Sequence, residues 1–175
     1  MRILAAISLG GLAAGVLDIL YAFVVFGPLS YQMSPLAVLQ SVAAGWIGRE
    51  TAGAGGWETG LLGLGTHFFI AIVMAAVFVL AAMRMRALTE RPWLWGFGYG
   101  LVLYVAMNYV VAPLSAAATG AFPSGVGEVM SRLQDAFSAP RPRDPLQLAG
   151  TIFTHTAFVG ITIALIAKRF AAPRG

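Results

Sequence analysis

The chain has 175 residues, of which 59% are hydrophobic and 10% charged, with a net charge of +4 and a mean hydropathy of +0.82. A typical soluble domain carries about 25% charged residues, and a fold of this length has too little interior to hide so much apolar surface. A soluble enzyme, a disordered chain and a nucleic-acid binder are therefore excluded, and the composition points to one small polytopic membrane domain over residues 1–175, with lipid in place of water around its apolar faces.

The first apolar run covers about residues 3–26 and stops at Gly27-Pro28. Met1-Arg2 ahead of it resembles the start of a signal peptide, but the run is too long for the apolar core of one and reads as a retained first transmembrane helix. Residues 35–47 follow, with Leu36, Leu39, Val42, Ala43 and Trp46 at helical spacing. The second long run is about residues 61–83, the third about 92–111, ahead of Pro113, and the fourth about 146–167. Between the last two, residues 126–137 place Val126, Val129, Met130, Leu133 and Phe137 on one stripe, with Glu128, Arg132 and Asp135 elsewhere. Both short segments read as amphipathic helices, on the membrane surface or capping the bundle. A Pro-rich loop, residues 139–143, follows the second.

In lipid these four runs must be helices, because four spans are too few to close a barrel. The fold class is thus an all-α, four-helix transmembrane bundle with amphipathic surface helices in its two outer loops. Arg84, Arg86 and Arg91 crowd the short middle connection, Lys168, Arg169 and Arg174 the C-terminal tail, and Arg2 the start. The excess of Lys and Arg on cytoplasmic flanks places both termini in the cytoplasm. Trp93 and Trp95 then suit the inner interface, and Trp46 and Trp57 the outer one.

The sequence also repeats itself. Residues 11–30 and 96–115 align without a gap at Gly11/Gly96, Gly15/Gly100, Val25/Val110, Pro28/Pro113, Leu29/Leu114 and Ser30/Ser115. Each half, about residues 3–83 and 92–168, runs from this helix through an amphipathic segment with Leu-Gln to a helix with Thr-His near its outer end. Two tandem hairpins of the same orientation follow, related by a pseudo-two-fold along the membrane normal. Gly11, Gly15, Gly96 and Gly100 are the expected close-packing positions. Ala75-Ala76 or Ala81-Ala82 offer a small-residue face for a homo-oligomer.

Polar groups within a span are costly and face the bundle interior. Each span contributes one: Asp18, His67, Asn108 and His155. Counted from the cytoplasmic end at about 1.5 Å per residue, they lie within about one helical turn of one level, in the outer half of the membrane. Tyr21, Thr66, Tyr104, Thr154 and Thr156 are near enough to join them. A histidine lowers the cost of a buried carboxylate because the two charges neutralise each other. The cluster has a purely structural reading, as polar glue between helices, and three functional ones. It is a proton- or ion-responsive site in a small transporter or channel. It holds haem or a divalent metal on His67 and His155, although Asp18 would be a poor neighbour for haem. Or it grips the polar head of an apolar molecule seated between the halves. No cofactor is required by any motif. With 0 cysteines, thiolate chemistry is absent, and H-E-x-x-H, G-x-S-x-G and P-loop patterns are missing, so the expected role is non-enzymatic: transport-like, accessory, or an interaction subunit of a larger membrane complex.

The run Leu39-Gln40-Ser41-Val42-Ala43-Ala44-Gly45, the Gly55-Gly56 turn, and Leu62-Gly63-Leu64-Gly65-Thr66-His67-Phe68-Phe69 resemble a widespread group of bacterial four-helix inner-membrane proteins, uncharacterised in activity. So do Met107-Asn108-Tyr109-Val110-Val111-Ala112-Pro113-Leu114 and Ala164-Leu165-Ile166-Ala167-Lys168-Arg169. More distantly the chain is similar to YagU-type membrane proteins, which share a four-helix layout with histidines at the starts of the second and fourth helices. The long outer loop here departs from that pattern. The resemblance implies an inner-membrane location and four spans; it carries over no chemistry.

Overall fold

The computed structural model describes residues 2–138 and 145–171, so the Pro-rich loop and the tail arginine Arg174 lie outside the described residues. Every element among the described residues is helical. Four helices are long and apolar enough to cross a membrane: Arg2–Leu29 (28 residues), Gly56–Arg84 (29), Pro92–Leu114 (23) and Gln147–Phe170 (24). At about 1.5 Å per residue even the shortest of these reaches about 35 Å, beyond the about 30 Å of a hydrocarbon core. Their large apolar side chains point outward, as at Leu20, Phe69, Val77 and Val102, each more than half exposed. All four tryptophans are exposed as well.

The first span is α1 (Arg2–Val24) and a π turn, Val25–Leu29. Pro28 has no N–H and its ring crowds the carbonyl one turn back, and Gly27 leaves helical geometry at φ −80°, ψ −109°. The carbonyls of Phe26 and Gly27 are taken by the N–H groups of Met33 (3.0 Å) and Gln32 (2.9 Å). Then come α2 (Pro35–Ile47), α3 (Arg49–Ala54) and α4 (Gly56–Arg84). Ser34 caps α2 by accepting the Ala37 N–H at 3.1 Å, and Pro35 sits where a missing N–H costs nothing. α4 begins upstream of the apolar run, at the Gly-Gly turn itself. After α5 (Ala87–Glu90), the third span comprises α6 (Pro92–Val105), a π segment Ala106–Val111 and α7 (Ala112–Leu114). α8 (Ala116–Thr119) and α9 (Val126–Ser138) lead on to α10 (Pro145–Phe153), a π segment Thr154–Ile161, and α11 (Thr162–Ala171).

The chain packs as two compact units. The first comprises Met1–Tyr21, His67–Tyr104 and Pro145–Gly175, so it draws on all four spans; the second comprises Ala22–Thr66 and Val105–Asp144. The first unit's core is built largely of small residues, among them Ala6, Ala14, Ala75, Ala82, Ala164 and Ala167, around Phe78, Val79 and Ile163. Small side chains let helix backbones approach closely where dispersion, not the hydrophobic effect, holds spans together. Ala75 and Ala82 are buried in this chain's own core, whereas Ala76 and Ala81 are partly exposed.

The four glycines of the repeat lie at such approaches. A Cβ at Gly11 would fall 2.6 Å from Ile72 Cα, and one at Gly15 2.9 Å from the Phe68 ring. One at Gly96 would fall 2.7 Å from Ile161 Cα, and one at Gly100 would overlap His155 O and Thr156 Cα. The first span thus packs on α4, and the third on the fourth.

In the second unit, α2 buries Val38, Leu39, Ala43 and Ala44, and Gly63 of α4 admits the Leu39 backbone. Ala43 and Ala44 pack with Ala52 of α3, and Arg49 Nε donates to Ala117 O at 2.8 Å. α2 is a packed lid. α9, expected to resemble it, does not: it buries Arg132 and leaves Val126, Met130 and Phe137 exposed.

Candidate functional site: a histidine–carboxylate pair

Gly15 sets the site up. With no side chain at that position, α4 comes close enough for His67 Nε2 to reach the Gly15 carbonyl at 2.8 Å. A carbonyl only accepts, so Nε2 carries the proton and donates. The other ring nitrogen, Nδ1, then faces Asp18 Oδ2 at 3.9 Å. That spacing suits an ion pair and is too long for a direct hydrogen bond. Asp18 lies three residues after Gly15 and so on the same face of α1. Its other oxygen, Oδ1, accepts the Thr154 hydroxyl at 3.0 Å. One carboxylate therefore joins α1, α4 and the π segment of the fourth span.

The proton count follows from these bonds. Nε2–H is fixed by Gly15, so a neutral His67 presents a lone pair at Nδ1 to Asp18. One further proton, on either Nδ1 or the Asp18 carboxylate, makes the pair neutral overall; without it the pair carries one negative charge. The His67 side chain is 12% exposed and that of Asp18 30%, so the carboxylate stays reachable from outside the protein.

His155 makes a different set of contacts. Its Nδ1 donates to Thr151 O of its own helix at 2.9 Å, and its ring meets Tyr104 edge-to-face, with centroids 5.9 Å apart. Neighbouring residues on a helix point about 100° apart, so Thr154 reaches Asp18 while His155 turns to Tyr104. Thr156 donates to Ile152 O at 2.8 Å. With Thr151 donating to Gln147 O at 2.7 Å, three successive side-chain donors compete for carbonyls one turn back, a pattern that bends and loosens helices. Gly160 lies backbone-to-backbone against Gly96 and Gly100. These contacts adjoin or fall within the π segment Thr154–Ile161.

The structure therefore brings together Asp18, His67 and Thr154, and separately Tyr104 and His155. Tyr21 packs edge-on against Phe158, with centroids 6.1 Å apart, and sets its hydroxyl against Gly150. Asn108 and Thr66 belong to the second unit; Thr66 Oγ1 there accepts from Trp46 Nε1 at 3.0 Å. Among the described residues, no group of three or more His, Asp or Glu is placed to hold a metal ion. Two polar positions escaped the sequence reading. Tyr99 Oη donates to Met74 O at 2.7 Å, tying the third span to α4. Arg132 is buried on α9. A tyrosine within an apolar span is the one signal that marked Tyr99; nothing in the periodicity of α9 marked Arg132.

No protein-family model matches the chain, and neither a curated protein nor a solved structure matches it.

Proposed function

We propose that this is a small non-enzymatic protein of the bacterial inner membrane, transport-like or accessory in role, whose working part is a proton-holding pair, His67 and Asp18, buttressed by Thr154. The observation that carries the reading is the His67 Nε2–Gly15 O hydrogen bond. It commits one imidazole nitrogen to structure and leaves the other facing a carboxylate inside the apolar spans. A titratable pair at such depth marks a proton or ion site by its cost alone. The arginines of the middle connection support cytoplasmic termini. Two tandem halves are supported by equivalent pairings: Gly15 meets the His67 helix and Gly100 the His155 helix, and a π winding adjoins the proline of each P-L-S motif. A homo-oligomer would use faces other than the buried Ala75 and Ala82.

The test uses ¹⁵N-histidine-labelled protein in lipid. With 2 histidines the spectrum is assignable by substitution. The His67 signals should show the proton on Nε2, bonded to the Gly15 carbonyl. Asp18→Asn should shift the His67 Nδ1 signal and leave the signals of His155 unchanged. Unaltered His67 signals in Asp18→Asn overturn the pair. Proton flux into liposomes carrying a trapped pH dye then separates the transport-like role, in which flux is lost in Asp18→Asn, from the accessory one, in which wild type shows none.

A further inference from the structure

Helix α9 is built inside out for water. Its charged side chain Arg132 is 9% exposed, while Val126, Met130 and Phe137 are 79%, 61% and 56% exposed. Arg132 donates to Ala121 O at 3.1 and 3.2 Å, reaches Pro113 O at 3.5 Å, and pairs with Glu128. Glu128 in turn accepts the Ser124 N–H and hydroxyl, both at 2.9 Å. The ion pair of the helix is thus consumed by the protein.

At about 100° per residue, Val126, Met130 and Phe137 fall within about 40° of one another. They form a stripe beside the packed face. Ser131, Gln134, Asp135 and Ser138 form the third face and are exposed. The stripe also has a definite continuation. The Phe137 ring stacks on Tyr109 of the third span, with centroids 5.2 Å apart and planes 29° from parallel. Next to Tyr109, Val110 and Val111 are themselves exposed apolar residues of that span. Whatever solvates the outer end of the third span therefore solvates the α9 stripe too.

We infer that α9 lies in the plane of the membrane interface, with Val126, Met130 and Phe137 among the acyl chains and Asp135 toward water. This rests on the spans crossing a bilayer and is independent of the proton site. Glu128 and Arg132 cancel each other, which leaves Asp135 as the net charge of the helix. The helix thus offers nothing to anionic headgroups, and its occupant is the acyl-chain boundary itself, reached by apolar burial alone.

The absence of native cysteine makes the test direct. Met130→Cys, Asp135→Cys and, as a control on α4, Val77→Cys are spin-labelled in the full chain. Each is reconstituted in phosphatidylcholine vesicles, with and without phosphatidylglycerol. Accessibility to oxygen, which partitions into acyl chains, is compared with accessibility to a water-soluble nickel chelate. The labels at 130 and 77 should favour oxygen, and the label at 135 the chelate, equally in both lipids. A water-exposed label at 130 with a lipid-exposed label at 77 overturns the α9 placement and keeps the spans; water exposure at both overturns the spans. Spin–spin broadening at 130 that vanishes on dilution with unlabelled protein would assign the stripe to a second copy. A dependence on phosphatidylglycerol would assign it to headgroups. Either result overturns the acyl-chain assignment.

Discussion

Adding one methyl group at two neighbouring glycines of the third span should have unequal effects. Gly96, Gly98 and Gly100 share α6, but only Gly96 and Gly100 face the fourth span. A Cβ at Gly100 would overlap the His155 carbonyl and Thr156 Cα, both backbone atoms, whereas a Cβ at Gly98 meets nothing within 4 Å. Backbone cannot swing aside as a flexible side chain can, so Gly100→Ala forces the two spans apart. Overpacking of this kind costs about 1–3 kcal/mol. The helical preference of alanine over glycine returns about 1 kcal/mol at either site. Gly98→Ala should therefore stabilise by up to about 1 kcal/mol. Gly100→Ala should fall about 1–3 kcal/mol below it, since the propensity gain is common to both and cancels in the comparison. Gly96→Ala should behave like Gly100→Ala, because its Cβ would lie 2.7 Å from Ile161 Cα. Reversible unfolding of each variant in bicelles measures the difference. Equal stabilities for Gly98→Ala and Gly100→Ala would refute the close contact between the third and fourth spans.

Two further outcomes follow from single contacts. Tyr99→Phe removes the hydroxyl bond to Met74 O but keeps the ring packed on Phe78, 5.1 Å between centroids. The Met74 carbonyl lies within α4 and keeps its helical partner, so the loss should be about 0.6 kcal/mol and at most about 1.7; a larger drop in the same unfolding assay would refute this accounting. The carboxyl of Glu128 is held down from 4.5 to about 2, first by the Ser124 backbone N–H, then by the Arg132 side chain and the Ser124 hydroxyl. A depressed folded value means that its stabilising contribution is complete above pH 4.5 and is lost as the pH falls toward about 2. A ¹³C carboxyl titration of Glu128 in the folded protein should have its midpoint near 2, and a midpoint near 4.5 would show that the clasp does not form.

The spans were legible because hydrocarbon thickness imposes a length that a run of apolar residues either meets or misses. The extent of α2, residues 35–47, was legible from apolar residues at a 3.6-residue period; its cap, Ser34, was not marked. Which face α9 turns inward was not, because Arg132 finds its partners in carbonyls of residues 113 and 121, and their position is tertiary information. The same division runs through the site. Asp18 and His67 stood out as costly groups within apolar runs, and they do meet. The separate arrangement of His155 goes with a bond to Thr151 O and a π winding over Thr154–Ile161. No periodicity records such a combination.

The bond between His67 and Gly15 has a mechanical side. Nε2 holds its proton whether the imidazole is neutral or charged, because the carbonyl it serves can only receive. The strut between α1 and α4 therefore needs the Nε2 proton alone and makes no demand on Nδ1. The Gly15 bond and the carboxylate contact fall on opposite edges of one ring, so the bond that ties the two helices does not depend on the charge at Nδ1.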